Sequence, residues 1–238
     1  KSIFEEQIKM EIFQYPIDEN SYTDAYEYIS NYIRSKNLKA YLSLIEQLKK
    51  ETSIPIIASI NCITAGEWTK FAKNIESAGA DAIELNIFFI PVDEYKTSDE
   101  YENIYYDIIE QVLFNIKIPV SVKISQHLTN PLNFIRNLKI RGIKGVTLFN
   151  RFYPHNIDIN KFSFIIGEIF SAPAELNEVL RWTGLISGII ENIDLSVSTG
   201  VYEADDVIKC ILSGASAVQL CSTLYKYGVD KITKILND

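Results

Sequence analysis

A lysine and three asparagines lie within or at the end of short apolar runs of this sequence, where their side chains could form one polar pocket. Lys123 stands between Val122 and Ile124, and burial of an ammonium group is costly unless its charge is used. Asn61, Asn86 and Asn150 each follow such a run, and an amide offers a donor and an acceptor at a fixed place. Taken singly, each asparagine is better explained as a strand-end cap, and Lys123 could lie at a sheet edge. Together they predict a polar pocket.

Two further segments combine hydroxyl groups with a glycine or a cysteine just before a predicted helix. They are Ser198-Thr199-Gly200 and Cys221-Ser222. Gly200 permits close approach of the backbone, while Thr199 and Ser222 add hydroxyl donors. Loops after strands seven and eight of parallel barrels often hold a phosphate through backbone N–H groups. We therefore predict a phosphate site, with ordinary turn and N-cap chemistry as the alternative.

The elements that must position these residues repeat from Thr52 onward, as short β-rich runs alternating with amphipathic stretches. Several runs are apolar on both faces, as expected of buried parallel strands. The predicted strands cover residues 55–60, 82–87, 119–124, 145–149, 195–198 and 217–220. The predicted helices between and after them cover residues 65–78, 98–115, 132–141, 172–189, 204–213 and 223–236.

Three helix-to-strand junctions share one pattern, in which Gly79, Gly142 or Gly214 ends the helix and a short turn leads into the next strand. Glycine favours the left-handed cap that this turn requires. Six β-α units, three of them preceded or followed by such a junction, predict an α/β protein with a parallel sheet, and a (β/α)8 TIM barrel is the favoured architecture. An open doubly wound sheet is the alternative, which is disfavoured because no GxGxxG follows any strand.

The first fifty residues contain no apolar strand pattern. Residues 2–13 and 38–50 have helical periodicity, and residues 19–36 are polar and rich in tyrosine. We therefore expect a single barrel domain over residues 1–238 whose first one to two strands are missing from this chain. Lys1 is expected at the lip of the second strand.

Composition excludes several classes of function. The 238 residues carry a net charge of −8 without a Lys/Arg block, which argues against nucleic-acid binding. The uncharged stretch 210–225 is shorter than a bilayer span requires. Three cysteines without a CxxC or Cys/His spacing predict no metal site and suggest reduced thiols in a cytoplasmic protein.

Seven segments carry a resemblance to a known family through their order and spacing. They are residues 1–2, 54–61, 79–86, 118–123, 148–153, 196–201 and 214–219. On these segments the chain resembles the dihydroorotate dehydrogenase family of FMN-dependent barrels over nearly its whole length.

The resemblance implies an FMN across the barrel mouth, with its phosphate at Gly200 and at Cys221-Ser222. A fixed ammonium at Lys123 would reach the pyrimidine edge of the flavin and stabilise its anionic reduced form. The implied catalytic residues are Lys1, Asn86, Lys123 and Asn150. The implied cofactor-binding residues are Ser2, Asn86, Lys123, Asn150, Ser171, Ser198, Thr199, Gly200, Cys221 and Ser222.

One position departs from the family pattern. In the family, a Cys or Ser in the loop after the Leu-Asn of the fourth strand removes a proton from dihydroorotate. Here the matching pair is Leu85-Asn86, and Phe89 occupies the place of that base. Substitute bases on plausible loops are Tyr95, Cys62, His127 and His155. The resemblance thus implies a flavin-dependent oxidoreductase acting on CH–CH bonds, with a dihydropyrimidine-like molecule or an activated alkene as its small-molecule substrate. A flavin-free phosphate-binding isomerase or lyase, a non-catalytic ligand-binding barrel and a homodimeric assembly remain open.

Overall fold

The computed structural model describes residues 23–61, 65–87, 90–151 and 155–238, with the backbone alone at 23–36, 65–67 and 155. The chain packs as two compact units, one up to Ser121 and one from Val122 onward, so the boundary falls within the third strand. No helix in these ranges is both long enough and apolar enough to cross a membrane.

The first unit is built from β-α repeats. Its elements are α1 (Thr23–Glu51), β1 (Ile57–Ile60), α2 (Ala65–Ser77), β2 (Ala82–Asn86), α3 (Ser98–Asn115) and the start of β3 (Val120–Ser125). β1 and β2 are parallel, with Ile57 opposite Ala82 and Ile60 opposite Leu85. The backbone N–H of Ile83 donates to the Pro119 carbonyl at 3.0 Å as the chain enters β3.

The second unit continues the parallel pattern, in which β3 is followed across the sheet by β4 (Gly145–Asn150), β7 (Asp194–Ser198) and β8 (Ala217–Gln219). After β3 come α4 (Pro131–Ile140), β4 (Gly145–Asn150), β5 (His155–Asp158), β6 (Ser163–Ile166), a 3₁₀ turn (Pro173–Glu175), α5 (Leu176–Ile189), β7 (Asp194–Ser198), α6 (Ala204–Leu212), β8 (Ala217–Gln219), α7 (Ser222–Tyr227) and α8 (Asp230–Asn237). β5 and β6 form a separate antiparallel hairpin. All six predicted strands are present, which confirms an α/β fold of partial (β/α)8 barrel type.

The glycine junctions have the geometry that the sequence predicts. Gly79, Gly142 and Gly214 have φ angles of 93°, 104° and 101°. At each, the glycine N–H bonds the carbonyl three residues back and the next N–H bonds the carbonyl five residues back, as in a Schellman cap. A Cβ on Gly214 would also lie 2.4 Å from the Ser187 side chain.

Three elements differ from the sequence-based prediction. α1 begins at Thr23 and includes part of the polar stretch 19–36, whereas only 38–50 was predicted as a good helix. The predicted last helix, 223–236, is interrupted at Gly228, whose φ of 78° separates α7 from α8. The hairpin of β5 and β6 was not predicted. The single-domain interpretation stays a prediction, and the expectations for Lys1 and residues 2–13 lie outside the described residues.

Candidate functional site

Lys123 heads a short polar chain that links three strands of the second unit. Its neighbours Val122 and Ile124 are fully buried, whereas Lys123 itself, on the opposite face of β3, is half-buried. Lys123 Nζ donates to Gln219 Oε1 on β8 at 3.3 Å, and Gln219 Nε2 donates to Thr147 Oγ1 on β4 at 3.3 Å. Within the described part of the chain, no carboxylate pairs with this ammonium, so its positive charge meets a neutral amide oxygen.

Three of the predicted cofactor-binding residues, Ser171, Gly200 and Ser222, form a compact group that we call the serine cradle. The N–H and the hydroxyl of Ser171 both lie near Ser222 Oγ, at 3.0 and 3.1 Å. The N–H of Gly200 donates to Ser171 Oγ at 3.2 Å, and the Tyr202 hydroxyl donates to the Ser171 carbonyl. Ser171 is 5% exposed. The cradle therefore holds two hydroxyl and two backbone N–H donors, and no carboxylate of the described residues bonds to any of them.

The turn after β7 is strained where it enters the cradle. Thr199 and Gly200 have φ angles of 92° and 80°, and a left-handed conformation is unusual for a β-branched residue. The Thr199 hydroxyl is 3.4 Å from the Phe149 carbonyl. A Cβ on Gly200 would lie 2.6 Å from the backbone nitrogen of Leu176. A glycine is thus required at position 200 because the first residue of α5 lies too close for a side chain. The sequence analysis had explained this glycine only by the approach of a phosphate.

Arg151 is a residue of this region that the sequence analysis missed. It follows Asn150 at the end of β4, and its Nε lies 2.9 Å from Glu175 Oε2. Its Nη1 donates to the carbonyl oxygens of Glu168 and Ile169 at 3.0 and 2.8 Å. The sequence pattern that could have identified Arg151 is its position as a charged residue just after a predicted strand.

The first unit holds its own buried polar group around Glu84, which is 5% exposed. Ser59 Oγ donates to Glu84 Oε1 at 2.8 Å, and the Tyr41 hydroxyl donates to the Ser59 carbonyl at 3.0 Å. Burial raises the pKa of Tyr41, the hydrogen bond to Ser59 opposes this, and the charge of Glu84 adds to the rise. Sequence reasoning also missed Glu84, although a carboxylate within an apolar run is as unusual as the ammonium of Lys123.

The other predicted residues have varied settings. Asn86 and Ser198 are buried at the ends of β2 and β7, Asn61 and Asn150 are half-buried, and Cys221 is exposed. Among the substitute bases, Tyr95 and His127 are exposed. The predictions for Lys1, Ser2, Cys62 and Phe89, and for the side chain of His155, concern atoms outside the described residues. Where side chains are described, no group of three or more His, Cys, Asp or Glu could hold a metal ion.

Comparison with known proteins relates these features to one family. Residues 32–238 match the family model for dihydroorotate dehydrogenase. The catalytic subunit of dihydroorotate dehydrogenase B (NAD(+)) from Thermoplasma volcanium is 29% identical over 185 residues, which cover 76% of this chain and 60% of that protein. The subunit of the same name from Methanocaldococcus jannaschii is 27% identical over 206 residues, 83% of this chain and 66% of that protein.

The chain thus spans about three fifths to two thirds of the length of these curated relatives. The family model, by contrast, matches most of this chain and includes β1 to β8, Lys123 and the serine cradle. On this match the chain belongs to the dihydroorotate dehydrogenase family.

Proposed function

We propose that this protein is an FMN-dependent oxidoreductase that acts on a CH–CH bond of a small molecule, in the manner of dihydroorotate dehydrogenases. The observation that carries the proposal is the half-buried ammonium of Lys123, whose partner in the described residues is the neutral side chain of Gln219. Family membership and the names of the relatives support the same reaction class. The free thiols of Cys210 and Cys221 are compatible with a cytoplasmic enzyme.

The donors of the serine cradle fit the phosphate of FMN. A bound phosphate would accept from the Ser222 hydroxyl, and it would replace the serine oxygens to which the Ser171 hydroxyl and the N–H groups of Ser171 and Gly200 donate in this structure. A phosphate is an acceptor of such bonds, and their partners among the residues that the structure describes include no carboxylate that would repel it. These residues would hold the cofactor by its phosphate end.

Lys123 would act at the ring of the bound cofactor. FMN, when bound, supplies the chemistry of hydride transfer to or from carbon. A fixed ammonium stabilises negative charge that develops nearby, and it does so without reorganisation when it is already positioned. Gln219 and Thr147 would hold Lys123 in place, while Asn86 and Asn150 would bind flavin and substrate.

The substrate would be a dihydropyrimidine-like molecule or an activated alkene. By the resemblance, Phe89 would occupy the position at which the family has a Cys or Ser base, and a phenyl ring cannot accept a proton. Oxidation of dihydroorotate requires loss of a hydride and of a C–H proton, so this reaction would proceed poorly. A substrate that requires no base at this position would suit the sequence better.

The first test is flavin binding and reduction. We expect the purified protein to show flavin absorbance or to bind added FMN, and Lys123→Met to slow flavin reduction by about 10²–10³-fold. Lys144→Met is the matched control, because Lys144 is exposed in the same unit and its side chain lies outside the site. Lack of FMN binding, or equal reduction rates for Lys123→Met and the unmodified protein, would contradict the proposal.

The second test concerns Phe89. Because general-base catalysis is typically worth about 10²–10⁴-fold, Phe89→Cys should raise dihydroorotate turnover by a factor in that range. Phe89→Leu, which also removes the ring but adds no base, is the control. Steady-state turnover of dihydroorotate by the unmodified protein at an ordinary enzyme rate of about 1–10³ s⁻¹ would contradict the argument about the base.

A further inference from the structure

Arg151 connects the end of β4 to a segment seventeen and more residues further along the chain. Its Nη1 bonds the carbonyl oxygens of Glu168 and Ile169, and its Nε pairs with Glu175. The second carboxylate oxygen of Glu175, Oε1, accepts from the N–H of Ala172 at 2.7 Å. The segment 168–175 is therefore held on both sides of Ser171, a member of the serine cradle.

These contacts differ from an ordinary surface ion pair. Exposed pairs contribute little because solvent screens them and because long side chains lose entropy. The Arg151 side chain is 22% exposed, and it makes three charge-assisted bonds, two of them to backbone carbonyls. Bonds to the backbone fix the path of the chain, and the planar guanidinium fixes the direction of each bond.

We propose that Arg151 is a positioning residue that fixes Ser171 in the serine cradle and thereby sets the preference of the protein for a phosphate-bearing flavin over one without a phosphate. The inference rests on the proposed function for the identity of the ligand. Ser171 supplies a hydroxyl and an N–H to the cradle, so a shift of its segment would misplace two of the four donors. Ligand binding loses less conformational entropy when the cradle is already ordered, and Arg151 provides this order.

The experiment compares binding of FMN with binding of riboflavin, which lacks the phosphate. For Arg151→Met we expect the ratio of the riboflavin Kd to the FMN Kd to fall about tenfold or more, chiefly through loss of FMN affinity. Arg151→Lys keeps the charge but not the planar fork and should show a smaller fall. Arg181→Met is the matched control, because Arg181 is 66% exposed in an ion pair with Glu178 on α5. The ratio of the riboflavin Kd to the FMN Kd should not change in Arg181→Met.

A double-mutant cycle tests whether Arg151 acts through Ser171. Ser171→Ala should lower the same ratio, and because alanine keeps the backbone N–H, Arg151→Met should lower it further in the Ser171→Ala background, but by less than it does in the unmodified protein. Additive effects of the two substitutions would overturn the proposal. Equal weakening of FMN and riboflavin binding by Arg151→Met would overturn it as well, since a purely structural role affects both ligands.

Amide hydrogen exchange without ligand separates this inference from the proposed function. Arg151→Met should raise exchange at Ser171 and Ala172 and leave the core of α5 protected. Unchanged exchange at these amides would overturn the positioning role. An unmodified protein that binds neither flavin would contradict the proposed function and the flavin preference together, while the exchange data would still decide whether Arg151 orders the segment.

Discussion

Polar contacts at the amino ends of two strands in the first unit differ in chemistry from those at the carboxyl ends of strands in the second unit. In the first unit, Asp81 lies just before β2, where its Oδ2 accepts from the Ile56 N–H at 2.7 Å and both its oxygens accept from Lys49 Nζ at 2.8 Å. Glu76 Oε1 likewise accepts from the N–H groups of Lys117 and Ile118, just before β3. In the second unit, the serine cradle and Arg151 follow the carboxyl ends of strands.

The difference teaches how one β-α repeat can serve stability and binding. The chain before a strand presents N–H groups that need acceptors, and carboxylates supply them. The loops after the strands carry donors instead, in hydroxyls, backbone N–H groups and cations. In parallel barrels the amino-end face serves stability and the carboxyl-end face carries the site. We therefore expect substitutions at the amino ends to change stability alone, and substitutions at the carboxyl ends to change binding.

Gly200→Ala should have the largest effect, because it should lower both the unfolding free energy and the affinity for FMN. The positive φ and the close approach to Leu176 together should cost about 3 kcal/mol of unfolding free energy. FMN binding should weaken as well. Urea unfolding measures the first quantity, and Gly184→Ala in α5, where no atom lies within 4 Å of the added Cβ, is the control. A Gly200→Ala variant as stable as that control would contradict the structural reason given for the glycine.

Asp81→Asn should lower the unfolding free energy and leave FMN affinity unchanged. The hydrogen bond from Ile56, followed by that from Lys49, holds the pKa of Asp81 below its ordinary 3.8. A group whose pKa is lower in the folded state stabilises the fold above its unfolded pKa and loses this effect as the pH falls through the folded one. The two proteins should therefore differ near neutral pH and converge at pH values below 3.8.

Asp107→Asn is the control for this prediction, because Asp107 lies on the exposed side of α3 in the same unit. Urea unfolding at several pH values measures the difference. A loss of FMN affinity in Asp81→Asn at unchanged stability would break the proposed division between the two strand ends.

The smallest expected effect concerns the alkylation rates of the thiols of Cys210 and Cys221. Burial, and after it the charge of Asp206, raises the pKa of Cys210 to about 11, so this thiol should resist alkylation in the folded protein. Cys221 is exposed beside Ser222 and should react readily, and more slowly once FMN is bound. Peptide mapping after alkylation distinguishes the two. Rapid labelling of Cys210 would show that α6 opens, and labelling of Cys221 that FMN does not slow would place the cofactor elsewhere.

Local patterns were enough to predict the repeating units. Each predicted strand is an apolar run of four to six residues, and each Schellman glycine marks a junction whose geometry depends on its own few residues. The β5–β6 hairpin escaped prediction because all four residues of β6 are exposed, three of them large and apolar, so no alternation marks the strand. The break at Gly228 was missed because the apolar periodicity continues across it.

The sequence by itself determined which residues stand within or after the predicted strands, and hence that Lys123, Gly200 and Ser222 were candidates, whereas Ser171 was implied by the family resemblance. Only the tertiary structure decided how they combine, because the partners are distant along the chain. Gln219 lies 96 positions from Lys123, and Ser222 lies 51 positions from Ser171. The roles of Arg151 and Gly200 depend on contacts with segment 168–176, which packs against both residues only in the folded chain. Spacing along a sequence predicts a residue's own conformation, whereas long-range packing decides which groups it meets.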